Sequence, residues 1–165
     1  MKIVNQININ TSIDKVWEIL SGNFSEISSW TSAVVVSTEN PDLPKGDGRK
    51  CELPDGAIAS ETLVNVDSGQ HTFSYEVKLS SMPFFVRSMI NTWKVEPVAN
   101  GQSRVSFEIG VTLLPIFAQI MGVLMKRQFN KLAKVVLEEL KVFSETGKVH
   151  PRKEEQIKLN IAKAA

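Results

Sequence analysis

The sequence predicts an α+β fold: a curved antiparallel sheet of about seven strands wrapped around one long C-terminal helix, with two short helices after the first strand. Three observations predict it. Strand-like segments follow one another with only tight turns between them, and strands joined so closely pair antiparallel. An apolar stripe at helical spacing runs from Ile116 to about Thr146, roughly 45 Å of helix at 1.5 Å per residue, enough to lie across a whole sheet. A twisted sheet with one apolar face needs a cover, and no other segment is large enough to supply it. Curling the sheet around that helix leaves space between the two layers, so an interior cavity is expected.

The elements follow in order. Ile3, Asn5, Ile7 and Ile9 share one parity over residues 2–10, a first strand. Thr11 or Ser12 can cap a helix whose apolar stripe is Ile13, Val16, Trp17 and Leu20 and which Gly22 ends. Phe24 to Trp30 reads as a second short helical turn with Phe24, Ile27 and Trp30 inward. Ala33–Glu39 is β-branched, and NPDLPKGDG over residues 40–48 is a loop. Strands then span Arg49–Leu53, Ala57–Val66, His71–Leu79, Val86–Val98 and Arg104–Leu113, separated by Pro54-Asp55-Gly56, Asp67-Ser68-Gly69 and Ala99-Asn100-Gly101 turns. Gly147 follows the long helix as a C-terminal cap. The expected domain covers residues 1–146, and the charged segment 147–165 is expected to be a loose tail or a short surface helix.

Composition narrows the function. With 19 Lys+Arg against 18 Asp+Glu, the chain lacks the basic excess of a general nucleic-acid binder. A lone cysteine, Cys51, cannot form an internal disulfide and reads as a small buried hydrophobe. His71 and His150 have no carboxylate or second histidine at ligand spacing, so neither metal nor cofactor is expected. The N-terminus lacks an apolar signal core, which points to a cytoplasmic protein. Ile109–Met125 carries no charge over 17 residues, but Pro115 divides strand-like alternation from helical spacing, so a strand running into a helix is expected rather than a membrane span.

Strand parity nominates inward residues. Glu61 shares its face with Ala57, Ala59 and Leu63, where a carboxylate is costly unless bonded. It is either an acid/base group or polar anchor in the cavity, or a structural ion pair with Arg49 across neighbouring strands. Tyr75, on the parity of Phe73, Val77 and Leu79, either orients a ligand carbonyl or is amphipathic core. Asn91, beside Met89, Trp93 and Val95, faces the cavity or bonds to backbone. Phe107 on its strand, with Met121 and Leu124 on the helix stripe, would extend the apolar lining. Gln128 interrupts that stripe and either faces the middle of the cavity or lies at the stripe's edge. Met82-Pro83-Phe84-Phe85 is an apolar loop suited to ligand entry or membrane contact, or else packed on the nearest helix.

The order of local signatures resembles the START-like, helix-grip superfamily, and within it the bacterial polyketide cyclase/dehydrase and lipid-transport group. The residues that carry the likeness are Ser12-x-x-x-Val16-Trp17, Trp30, Gly46-Asp47-Gly48-Arg49, Leu53-Pro54-Asp55-Gly56, Glu61-Thr62-Leu63 and Asp67. Phe73-Ser74-Tyr75, Thr92-Trp93-x-Val95-x-Pro97 and Arg104-Val105-Ser106-Phe107 complete it, so that it covers residues 1 to about 146. The resemblance implies a cavity that holds a hydrophobic small molecule behind gating loops. Leu53-Pro54 resembles the gate of the plant hormone receptors in the superfamily, and Glu61 resembles their buried water-ordering glutamate. Trp93 falls where they carry a cavity-lining tyrosine. Their ligand-carboxylate lysine has no counterpart, its position falling at Trp30 or a neighbour, which favours a neutral or lipid-like ligand.

Three readings follow. A carrier or sensor would bind a hydrophobic small molecule or lipid without chemistry. A cyclase or dehydratase would use Glu61, Tyr75 or Asn91 as catalytic groups in general acid/base catalysis. A ligand-dependent module would present the Leu53-Pro54 and Pro83–Phe85 loops to a protein partner, the chain itself being a monomer or homodimer.

Overall fold

The computed structural model describes residues 1–164. The strands are β1 (Lys2–Ile9), β2 (Val36–Glu39), β3 (Gly48–Glu52), β4 (Ile58–Asp67), β5 (Thr72–Leu79), β6 (Val86–Val98) and β7 (Gln102–Leu113). Among the described residues they form one antiparallel sheet in the order β1-β7-β6-β5-β4-β3-β2. β2 through β7 are hairpin neighbours in sequence order, while β1 closes on β7 from the other end. Chain neighbours β1 and β2 are therefore opposite edges, bridged by helix α1 (Ile13–Trp17), a π-helical turn at Glu18–Gly22 and a 3-10 segment at Phe24–Ser29. The Ser12 side chain caps α1 by accepting from the Lys15 amide. The long helix α2 (Pro115–Thr146) crosses the sheet's concave face and ends at Gly147 in the left-handed conformation, as its cap position requires. The architecture is the expected helix grip.

One detail departs from the sequence expectations and another agrees with them. β2 begins at Val36 rather than Ala33, because residues 31–34 are drawn away from the sheet. The uncharged run Ile109–Met125 is divided by Pro115 between β7 and α2, and among the described residues no helix is long and apolar enough to cross a membrane.

What draws residues 31–34 aside is Glu139, which is 0% exposed on the inner face of α2. Its carboxylate accepts from the Thr31 hydroxyl (2.7 Å), the Ser32 amide (2.8 Å), the Ser32 hydroxyl (2.6 Å) and Arg152 Nε (3.0 Å). Burial alone would raise its pKa, but the hydroxyl and amide donors and Arg152 hold it below the ordinary value. Arg152 belongs to α3 (Pro151–Ala164), into which the charged C-terminal segment folds. Lys153 on the next position is itself buried and donates to the Val34 carbonyl at 2.8 Å and to Gln156 Oε1 at 2.7 Å, while Gln156 Nε2 donates to the Ser32 carbonyl at 2.7 Å. Desolvation lowers the pKa of that ammonium, and Glu139 opposes the shift. One carboxylate thus joins α2, α3 and the segment between the 3-10 turn and β2.

Elsewhere, close backbone approach sets a residue type. At Gly48, where β3 starts beside β4, an added Cβ would stand 2.5 Å from the Glu61 carbonyl oxygen. Gly48→Ala should cost about 1–3 kcal/mol in urea unfolding, whereas Gly122→Ala, in an open helical position, should gain about 0.5–1 kcal/mol. A neutral result at Gly48 would contradict the close approach. Glu139 makes a pH prediction. Its folded pKa lies below its ordinary 4.5, so its stabilisation is complete above that value and is lost as pH falls through the lower folded one. Glu139→Gln should be less stable at neutral pH and should lose less on acidification than the parent, read by thermal melts across the acid range.

A polar-ended cavity between sheet and helix

The register brings one parity of five strands, β3 to β7, to the concave face. Arg49 pairs across with Glu61, Cys51 with Ala59, Tyr75 with Asn91, and Trp93 with Phe107. Of these, Ala59, Glu61, Tyr75, Asn91, Trp93 and Phe107, together with Val77, Leu79, Met89 and Ile109, floor a cavity of about 400 Å³. Phe129, Leu132 and Val136 of α2 roof it at spacings of three and four, Ile27, Ala33 and Val34 close one side, and Leu53, Pro54 and Asp55 close another. Pro54, Asp55 and Leu132 both line the cavity and are exposed, which places its opening between the Leu53–Asp55 turn and α2.

The polar groups converge at one end. Arg49 is 2% exposed, and its Nε donates to Glu61 Oε2 at 2.5 Å while Nη1 donates to the Phe24 carbonyl. Its guanidinium carbon lies 3.9 Å from the centroid of the Phe24 ring and 5.3 Å from that of Tyr75. Burial opposes the charge on Arg49, but Glu61 foremost, with Tyr75 and Cys51, raises its pKa above the ordinary value. Desolvation and the Glu61 carboxylate push the Tyr75 phenol and the Cys51 thiol each up to about 12, so both are neutral at physiological pH. The Tyr75 hydroxyl accepts long hydrogen bonds, 3.4 Å each, from Asn91 Nδ2 and Trp93 Nε1, which leaves its own proton to donate. Asn91 Oδ1 is buried without a hydrogen-bond partner, and Glu61 Oε1 has none among the described residues. The walls are otherwise aliphatic and aromatic, with Trp93 stacked on Phe107 at 4.1 Å.

Of the residues singled out from sequence, Leu53, Pro54, Ala59, Glu61, Tyr75, Asn91, Trp93 and Phe107 line this cavity. Five do not. Trp30 is buried against Ile19 and Phe143 in a separate small pocket. Leu63 lies at the β4 bulge between Leu63 and Asn65, where the strand's alternation breaks, and it packs on the core edge. Met121 and Leu124 sit on the N-terminal half of α2, whose buried positions begin only at Ala133. Gln128 is exposed, one residue and so about 100° round the helix from the inward Phe129. The sequence reading used the wrong helical phase: apolar residues occupy several stripes of α2, and only packing selects 129, 133, 136 and 140. Val77, Leu79, Met89 and Ile109 shared a parity with nominated residues and could have been added; Ala33 and Val34 carried no signal.

The arrangement suits a mostly apolar molecule with one hydrogen-bonding end. A phenol donor, an amide acceptor and one carboxylate oxygen meet it, and the carboxylate's charge is offset by Arg49.

Comparison with known proteins agrees with this geometry. A family model described as polyketide cyclase/dehydrase and lipid transport matches residues 1–145. The fold is similar to that of a START superfamily protein from Mycobacterium smegmatis, at 10% identity over 84% of this chain and 96% of that one, with a TM-score of 0.61. Truncated norcoclaurine synthase from Thalictrum flavum superposes at 13% identity over 90% and 95%, TM-score 0.68. The di-domain ARO/CYC BexL from the BE-7585A biosynthetic pathway does so at 14% identity over 86% of this chain and 45% of that one, TM-score 0.71. At these identities the likeness is one of fold. No curated protein matches the chain.

The buried pair yields a stability test. Arg49→Met strands the Glu61 carboxylate and should cost about 3–5 kcal/mol in urea unfolding, whereas Arg49→Met with Glu61→Leu should recover most of that loss. If the single and double variants were equally unstable, the loss would come from packing around the guanidinium and not from the unpaired charge.

Proposed function

The chain belongs to the polyketide cyclase/dehydrase and lipid-transport family, within the START-like superfamily, and from that premise we propose that it carries or senses a neutral hydrophobic small molecule or lipid. The observation that supports this reading is the cavity itself, about 400 Å³ with apolar walls and one polar end, in the size range of small-molecule sites. Each 100 Å² of ligand surface removed from water would contribute about 2.5 kcal/mol. Tyr75, Asn91 and Glu61 would then set orientation by meeting a hydroxyl or carbonyl on the ligand.

Glu61 Oε1 favours a second reading. An uncommitted carboxylate oxygen at the polar end could move a proton on a bound polyketone, the chemistry of a cyclase or dehydratase. Asp55, Glu61 and Tyr75 are the titratable groups among the lining residues, and Tyr75 stays protonated up to about pH 12, so that role would fall to Glu61.

Native mass spectrometry of protein purified from its own host, followed by solvent extraction, should recover a stoichiometric apolar compound. Ala59→Trp, which fills the cavity from β4, should abolish its retention while thermal melting stays cooperative. An empty parent protein that also fails to bind a fluorescent hydrophobic probe would overturn the proposal. With a ligand in hand, Glu61→Gln should change affinity only a few-fold if the protein is a carrier. Loss of turnover with binding retained would establish the catalytic reading instead.

A further inference from the structure

The first three turns of α2 contribute almost nothing to the core. Ile116, Ile120 and Val123 are 71%, 69% and 71% exposed, and Phe84 in the turn after β5 is 76% exposed. These are one feature: the Phe117 ring meets Phe84 edge-on at 5.2 Å and stacks on Phe85 at 4.9 Å, which ties the loop to the start of the helix. An apolar protrusion of this kind on a folded domain marks a contact surface.

Charge identifies what it contacts. Ile116, Ile120, Val123, Arg127, Lys131 and Lys134 recur at spacings of four, three, four, four and three, so they lie along one face of α2. All six are exposed; the first three are apolar and the last three basic. No acidic residue occurs between Glu108 and Glu138. From Ile116 to Val123 the axis rises about 10 Å, the depth to which apolar faces enter a headgroup boundary, and the basic residues follow where phosphates would stand. A second copy on the same face would bring basic residues onto basic ones if aligned, or onto apolar ones if reversed, so self-association is disfavoured.

We propose that this face, with Phe84, docks the protein on anionic lipid bilayers, the helix entering by its N-terminal end. The inference is independent of what the cavity holds, since none of these residues lines it.

Co-sedimentation with phosphatidylcholine vesicles, with and without phosphatidylserine, tests it. The protein should bind the anionic vesicles, bind the neutral ones far less, and be released by salt. Ile120→Glu with Val123→Glu should weaken binding at least tenfold. Neutralising Arg127, Lys131 and Lys134 to Gln should weaken it roughly fivefold per charge, from the worth of one basic residue near an anionic surface. All five positions are exposed, and circular dichroism verifies that the variants fold. Absence of vesicle binding, or equal binding to both compositions, would overturn the proposal. So would a parent dimer in sedimentation velocity that Ile120→Glu dissociates, which would assign the face to a second copy. Each of these outcomes leaves the cavity reading untouched, because ligand extraction is scored separately.

Discussion

A guanidinium sealed between a sheet and a helical segment determines the character of everything near it. Arg49 cannot be left without a counter-charge at that depth, and Glu61, directly opposite on β4, supplies one at 2.5 Å. The remaining donor capacity goes to the Phe24 carbonyl, so the same side chain fixes the 3-10 segment against the sheet and with it Ile27, which lines the cavity. The pair also determines what the polar end is. One carboxylate oxygen is engaged and the charge is offset, while Tyr75 and Cys51 remain protonated. The cavity therefore presents hydrogen-bonding groups with little net charge.

Attachment of α2 is uneven along its length. Its C-terminal half is held by the core through Ala133, Val136, Leu137 and Leu140, and by Glu139 to the segment before β2. Its N-terminal half extends beyond that core. Phe129 and Leu132 stand at the transition between the two, where the helix is near enough to roof the cavity but not so close that it fills it. The cavity exists because the buried face of the helix starts late.

The fold was legible in sequence because its signals are local and mutually consistent. Alternation fixes each strand, Gly-containing turns separate them, and Pro115 and Gly147 bracket the helix. Glu61, Tyr75, Asn91 and Trp93 were legible for the same reason, since a strand has only two faces and their apolar neighbours identify the inner one. A helix offers a continuous circle instead. With apolar residues at 116, 117, 120, 121, 123, 124 and 125, periodicity could not select the buried direction, which explains the misplacement of Met121, Leu124 and Gln128. The role of Glu139 was hidden differently. Its hydroxyl and amide donors, Thr31 and Ser32, lie more than a hundred positions upstream, and beside Glu138 nothing local distinguishes a buried carboxylate from a solvated one.

The contacts of α3 with the cavity wall are made to main-chain oxygens: Lys153 to that of Val34 and Gln156 to that of Ser32. Every residue type offers such an oxygen. Ala33 and Val34, whose side chains line the cavity, can therefore be exchanged for others without removing the acceptors that hold α3 in place. Attachment and recognition use different atoms of the same short segment. A lineage of such proteins could thus diverge in ligand shape at this rim while inheriting its anchorage intact.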